Sequence, residues 1–207
     1  HMYAIPGDYV ITIDGQIEGF TFINSGGRRG HSYKIIDISQ WGILNLGDTT
    51  SQFNNCYNLN ITATDILDLD GTTNLLRMFR GCSSLVFNDS INDWDTSGVL
   101  YMTEQFRQAR YFNQPLNNWD TSNVIAFCDQ FRQATSFNQD ISGWDTSSSN
   151  GFCFTFKDAT SFNQPLNTWD TSNVLVMNST FAGATSFNQP LNLLDTSSVT
   201  TMESMFK

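Results

Sequence analysis

The sequence predicts a repeat solenoid whose coils each contain one short strand and one short helix, with a β cap at its start. Three observations predict this fold: aromatic residues recur every 25 residues, the same polar motif follows many of them, and apolar spacing changes from extended to helical within each period. A fixed period of this length indicates coils that bury their apolar faces only against neighbouring coils.

Tryptophan and phenylalanine mark the period most clearly. One series consists of Trp94, Trp119, Trp144, Trp169 and then Leu194, and Asp-Thr-Ser follows each member. Two phenylalanine series share the period: Phe112, Phe137, Phe162 and Phe187, and Phe106, Phe131, Phe156, Phe181 and Phe206. Residues 46–207 therefore accommodate about six coils, of which the last is incomplete.

Each period divides into an extended half and a helical half. Pro115 excludes a helix interior from the first half, which we assign to a short strand. The side chains of residues 120–123, Asp-Thr-Ser-Asn, suit the N-cap of a helix. The apolar residues after this motif have the spacing of one helix face: Val124, Phe127, Phe131 and Ala134.

The two ends of the chain are predicted to differ. We interpret His1-Met2 as the remnant of a cleaved expression tag. Residues 3–45 are predicted to form the β cap, because Asp14-Gly15 separates two strand-like runs as in a hairpin. The last predicted helix stops at Phe206-Lys207, so either the array continues further or this end packs on a second copy.

The composition narrows the classes of partner. The chain has 10 basic and 20 acidic side chains, which disfavours nucleic acid and anionic lipid because both require a basic surface. No apolar run approaches the roughly 18 residues of a membrane span. No secretory signal is visible, and we treat any native leader as removed. Abundant Asn, Ser and Thr with few charged residues indicate an extracellular or cell-surface protein.

One pattern describes the repeated unit: ATSFNQPLNxWDTSNVxxMxxxFxxA. It resembles the BspA-like leucine-rich repeat of bacterial surface proteins over roughly residues 66–207, and the run Gly81-Cys82-Ser83-Ser84-Leu85 fits a common variant of that family. The resemblance implies leucine-rich-repeat-like coils and a surface-exposed adhesion or binding module. It implies no particular ligand.

One part of the repeated unit is nearly identical between copies, and another part varies. Residues 112–122 and 162–172 are identical at ten of eleven positions, whereas 124–131 and 174–181 match only at the first and last of eight. The variation concentrates at two positions predicted to point away from the core. One position is occupied by Tyr101, Ala126, Gly151, Val176 and Thr201, and the other by Glu104, Asp129, Phe154, Ser179 and Ser204.

Basic residues are also aligned with the repeat. Half of all Lys and Arg directly follow the repeated phenylalanine: Arg80, Arg107, Arg132, Lys157 and Lys207. We therefore predict a non-enzymatic binding or adhesion module that presents a variable helix face to a protein or glycan ligand. The candidate contact residues are Tyr101, Glu104, Arg107, Arg110, Asp129, Arg132, Phe154 and Lys157.

Several alternatives stay open. Exposed positions also vary through relaxed constraint, and aligned arginines also arise by pairing with nearby acids. The strand side is a second candidate binding surface, around Asn118, Gly143, Thr168 and Leu193. A second class of function is a structural spacer or a self-associating rod that stacks through its last coil.

A ladder of aspartates suggests calcium as a weaker alternative: Asp95, Asp120, Asp145, Asp170 and Asp195. We favour helix capping, because each precedes a predicted helix start and none lies in a calcium-loop pattern. No cofactor is expected. His31 is the only histidine outside the tag remnant, and without a nucleophile, phosphate or zinc motif we predict no enzyme.

The four cysteines are predicted to be free thiols. Cys56 and Cys82 occupy a small core position, where a buried thiol packs like other apolar groups. Cys128 and Cys153 occupy equivalent positions in adjacent coils. Adjacent helices would lie about 8–10 Å apart, which is too far for a disulfide, whereas stacked strands would lie close enough to form one.

Overall fold

The computed structural model describes residues 7–12, 21–22 and 31–207. Within these ranges the regular elements are two 3-10 helices, His31–Lys34 and Asp89–Asp93, and two strands, β1 (Asp37–Ile38) and β2 (Asn60–Ile61). The strands pair in parallel, with Asp37 opposite Asn60. The predicted fold class, leucine-rich-repeat-like coils of a short strand plus a short helix, is wrong, because no described residue lies in an α-helix.

The segment after each Asp-Thr-Ser is a run of tight turns instead of a helix. The N–H of Gln130 donates to the carbonyl of Phe127 (3.1 Å), but the N–H of Phe131 donates to Thr155 in the following unit (2.9 Å). Asp129 has a φ of 58°, as the third residue of a type II turn does. These turns direct Phe127 and Phe131 to the same interior, so their spacing imitates that of a helix.

Successive 25-residue units lie on one another as layers. Backbone hydrogen bonds repeat from layer to layer: Phe106 donates to Gln130 (3.0 Å), and Phe156 donates to Thr180 (2.9 Å). Isolated parallel bridges join the variable position of Tyr101 to the same position in neighbouring layers. Layers joined in this way lie at about the 4.8 Å spacing of paired strands, which leaves no room for packed helices.

Three ladders of aromatic rings fill the core. Rings in the series Phe79, Phe106, Phe131, Phe156, Phe181 and Phe206 stack with centroids 5.6 to 5.9 Å apart. A second ladder runs through Phe112, Phe137, Phe162 and Phe187 at 6.0 Å, and a third through Trp94, Trp119, Trp144 and Trp169 at 6.3 to 6.5 Å. Within a layer, Phe131 and Phe137 also stack at 3.9 Å.

Several polar groups between the layers form hydrogen bonds to an adjacent layer. The indole N–H of Trp144 donates to the buried carbonyl of Leu116 (2.9 Å). The backbone N–H of Asn138 donates to the side-chain oxygen of Asn113 (2.8 Å). Such contacts fix the register between neighbouring layers, because a shift by one residue would break these hydrogen bonds.

The predicted hairpin of the N-terminal cap lies mostly outside the described residues and stays a prediction. Of its residues, Phe22 donates its N–H to the carbonyl of Gln52 (3.1 Å), and its ring lies 6.0 Å from that of Phe53. Residues 21–22 therefore contact one of the first layers. Among the residues that the structure describes, no helix is long and apolar enough to cross a membrane.

The cysteine predictions were partly wrong. Cys128 and Cys153 form a disulfide, with their Cα atoms 4.7 Å apart. The expectation of free thiols assumed neighbouring helices, whereas stacked turns bring the two backbones close enough to bridge. Cys56 and Cys82 are free and buried, as predicted. Burial raises the pKa of the Cys82 thiol well above its usual range.

Candidate functional site

Charged side chains from successive layers form a continuous line along one edge of the stack, which we call the ion ladder. Its members are Arg77, Arg80, Glu104, Arg107, Asp129, Arg132, Phe154 and Lys157. Glu104 joins the first two layers of the line. Its Oε2 contacts the Nη1 atoms of both Arg80 (3.1 Å) and Arg107 (2.8 Å), and its Oε1 contacts Nη2 of Arg77 (2.7 Å).

Asp129 extends the ladder into the next layers. Its Oδ1 lies 3.0 Å from Nη1 of Arg132 and 3.7 Å from Nη1 of Arg107. The guanidinium carbon of Arg132 lies 5.4 Å from the centre of the Phe154 ring, and the Lys157 ammonium lies 5.6 Å from it. Both distances are within the range of cation–π attraction, so the ring continues the line that the carboxylates begin.

One row of the ladder occupies the left-handed region of backbone conformation. Positive φ angles of 52° to 64° occur along this row, at Ser51, Arg77, Glu104, Asp129, Phe154, Ser179 and Ser204. A non-glycine residue in this region costs roughly 1 kcal/mol or more, whereas glycine adopts it freely. A second left-handed row holds glycine at Gly81 and Gly183 and other residues at Asn55, Gln108, Gln133 and Asp158. The first row is distinguished by the ion pairs that Arg77, Glu104 and Asp129 form.

Glu104 is ionised in the ladder in spite of its burial. Only 7% of the surface of Glu104 is exposed. Burial opposes ionisation, but the hydrogen bond from Arg77 and the charges of Arg80 and Arg77 outweigh it and hold the pKa of Glu104 below its usual value. Glu104 therefore acts as the anchor that positions three arginines.

Replacing Glu104 with glutamine is expected to lower the free energy of unfolding by about 1–2 kcal/mol at neutral pH, because three cations lose their counter-charge while remaining partly solvated. Glutamine itself suits the backbone, since Gln108 and Gln133 have positive φ. Urea denaturation measures the change, and Glu203→Gln, at an exposed carboxylate, is the matched control.

The same variant has a defined pH dependence. The pKa of Glu104 is lower in the folded protein than in the unfolded chain, where it is about 4.3. Glu104 therefore stabilises the fold fully at pH values above the unfolded pKa, and this contribution disappears as the pH falls through the folded pKa. The difference in the free energy of unfolding between the wild type and Glu104→Gln should therefore become smaller below about pH 4. A difference that is the same at neutral and acidic pH would contradict the assigned role of Glu104.

The structure brings together six of the eight residues predicted as contacts: Glu104, Arg107, Asp129, Arg132, Phe154 and Lys157. They lie on a turn edge rather than on a helix face. Tyr101 lies three residues before Glu104 in the same layer and is 44% exposed. Arg110 is exposed, and the described residues show no ion pair for it.

Sequence reasoning missed Arg77 as a member of the site. Its layer neighbour Glu104 lies 27 residues away, not 25, because the unit that contains Phe79 is two residues longer. Aligning the units on Phe79 and Phe106 would have placed Arg77 opposite Glu104 and identified the pair.

The alternative strand side is a row of exposed turns. Each of its predicted residues, Asn118, Gly143, Thr168 and Leu193, lies in a turn. In one layer, the N–H of Trp119 closes the turn by donating to the carbonyl of Leu116 (3.2 Å). These residues therefore form a surface of turn tips and not the strand face that was predicted.

The aspartate ladder is used for local turns. Asp120 accepts hydrogen bonds from the N–H (3.0 Å) and the hydroxyl (2.6 Å) of Ser122, and these bonds lower the pKa of Asp120. The prediction that these carboxylates accept backbone N–H groups was right, but they close turns instead of capping helices. The residues that the structure describes contain no cluster of three or more potential metal ligands.

Comparison with known proteins gives one family. A family model described as "Mycoplasma protein of unknown function, DUF285" matches residues 28–129 and again residues 114–207. No curated protein and no solved structure matches the chain. The two matches together span all the layers that carry the ion ladder.

Proposed function

The chain belongs to the DUF285 family of Mycoplasma proteins of unknown function, and from this premise we propose that it is a non-enzymatic binding or adhesion module at a cell surface. The finer relationship to BspA-like surface repeats is part of this proposal. The ion ladder would contact a protein or glycan ligand outside the cell. Neither a cofactor nor a catalytic residue is needed for this role.

The ion ladder is the observation that carries the proposal. It lines up charged side chains and the Phe154 ring along a partly exposed edge of the stack, with Arg107 and Arg132 among them. Arginine and aromatic side chains are the types that interfaces favour. Backbone hydrogen bonds between layers hold the stack beneath them, so binding would order little additional chain.

A structural spacer or self-associating rod is the second candidate. The aromatic ladder supports it, because each ring can stack on both faces, as Phe181 does on Phe156 and on Phe206 at 5.6 Å. A rod of this kind would grow with protein concentration and would be indifferent to substitutions in the ion ladder. Sedimentation over a wide concentration range distinguishes the two candidates.

A double variant, Arg132→Ala with Phe154→Ser, tests the binding function. Both new residues already occupy the equivalent positions in a later layer, at Ala182 and Ser179, so the fold should tolerate them. We expect at least about tenfold weaker binding to whichever probe the wild type captures, equivalent to about 1.4 kcal/mol. The probes are immobilised mucin, gelatin, heparin and dextran, read by surface plasmon resonance.

Thr168→Asn is the matched control, because Asn118 occupies the same position on the surface of turn tips. It should bind as the wild type does. Equal binding by the wild type and the double variant would overturn the ion ladder as the binding surface, and loss of binding only in Thr168→Asn would transfer the function to the turn tips.

A further inference from the structure

Resting on the proposed function, we infer that the ion ladder binds an anionic polysaccharide, one that carries sulfate or carboxylate groups along its length. The ladder holds five cations, Arg77, Arg80, Arg107, Arg132 and Lys157, and two carboxylates, Glu104 and Asp129. Positive charge therefore exceeds negative charge by three along this edge, although the whole chain has a net charge of −10. Such local excess attracts anions.

The cations are arranged along an axis. Arg80, Arg107, Arg132 and Lys157 come from four successive layers, and each directly follows a stacked phenylalanine of the core. Neighbouring layers lie about 4.8 Å apart, so a ligand lying along the edge meets one cation per layer. An extended ligand with repeated charges matches this arrangement better than a single small anion does.

The arginines retain donors for an external anion. Each guanidinium has five N–H donors, and in Arg107 and Arg132 the carboxylates of the ladder engage Nη1. The Nε atoms of these two residues are shielded from water and have no hydrogen-bond partner in the structure. The ion pairs with the ladder carboxylates engage only Nη1, so Nη2 can donate to an external sulfate or carboxylate while those ion pairs are kept.

The shape of the edge favours a polysaccharide over a nucleic acid. Each layer contributes only two side chains to the ladder, and Asp158 lies directly beside Lys157 in the sequence. A wide duplex would extend over such acidic residues, whereas a single polysaccharide chain follows the ladder alone. Tyr101, 44% exposed, and the Phe154 ring add apolar faces beside the charges, where the C–H faces of sugar rings pack.

The experiment compares four immobilised polymers at low and high salt: heparin, polygalacturonate, neutral dextran and polyglutamate. We expect binding to heparin and polygalacturonate that weakens as salt increases, and none to dextran. The double variant Arg132→Ala with Lys157→Ala should bind heparin and polygalacturonate at least about tenfold more weakly, because it loses two charge-assisted contacts. Arg110→Ala is the matched control, since it removes an exposed cation outside the ladder and should leave binding unchanged.

Three results would overturn the inference: no binding to either anionic polysaccharide, equal binding to polyglutamate, or equal loss in Arg110→Ala. The first would leave the proposed function standing if mucin or gelatin binding still depended on Arg132 and Phe154. If those probes also fail to depend on the ion ladder, both the inference and the proposed function are wrong.

Discussion

Replacing Phe131 with alanine is expected to lower the free energy of unfolding by about 3–5 kcal/mol. Phe131 is completely buried and stacks on Phe106, Phe156 and Phe137 with centroids 5.8, 5.9 and 3.9 Å away. The cavity cannot close easily, because hydrogen bonds between layers hold the flanking rings at their spacing. The shift of the urea denaturation midpoint measures the loss.

Phe206→Ala is the control, since this ring belongs to the same ladder but is 64% exposed. Removing this ring should lower the free energy of unfolding by less than about 1 kcal/mol, because much of the ring is already in contact with water. If Phe131→Ala were as stable as Phe206→Ala, the aromatic ladder would not be the source of cohesion between layers.

Reducing the Cys128–Cys153 disulfide is expected to lower the free energy of unfolding by about 3.5 kcal/mol, which is the second large effect. The bond spans 25 residues, which is one layer. Cross-linking a loop of that length removes conformational entropy from the unfolded chain, and the chain-entropy model gives the stated size. Thermal unfolding with and without a phosphine reductant measures it.

The double variant Cys128→Ser with Cys153→Ser is the control. It should match the reduced wild type and be insensitive to reductant, since Cys56 and Cys82 are already free. Four free thiols in the unfolded, non-reduced wild type, counted by mass spectrometry, would show that the bond does not form.

The core could be predicted from the sequence because its residues recur at the layer period. Phe106, Phe131 and Phe156 were identified as one series, and their rings stack on one another. The helices were wrong for a physical reason. A spacing of three or four residues is produced by tight turns as well as by a helix, and the positive φ of residues such as Asp129 has no signal in the sequence.

Six of the eight residues of the ion ladder were among the predicted contact residues, but the geometry of the site was not predicted. Arg107, Asp129 and Arg132 were grouped by their repeat positions, whereas the burial of Glu104 and its contacts with three arginines were not foreseen. Those contacts depend on side chains from different layers, so they follow from the layer spacing and not from any local pattern.

The sequence by itself determined the 25-residue period, the aromatic core, the variable positions and the acidic charge of the chain. Only the tertiary structure decided the path of the backbone within each layer. Alternate N–H groups donate to the next layer, and a bond between residues about 25 positions apart satisfies a backbone donor as well as a helical bond does. The distance between layers decides whether the bond between layers or the helical bond forms. The stacking of Phe106, Phe131 and Phe156 sets that distance.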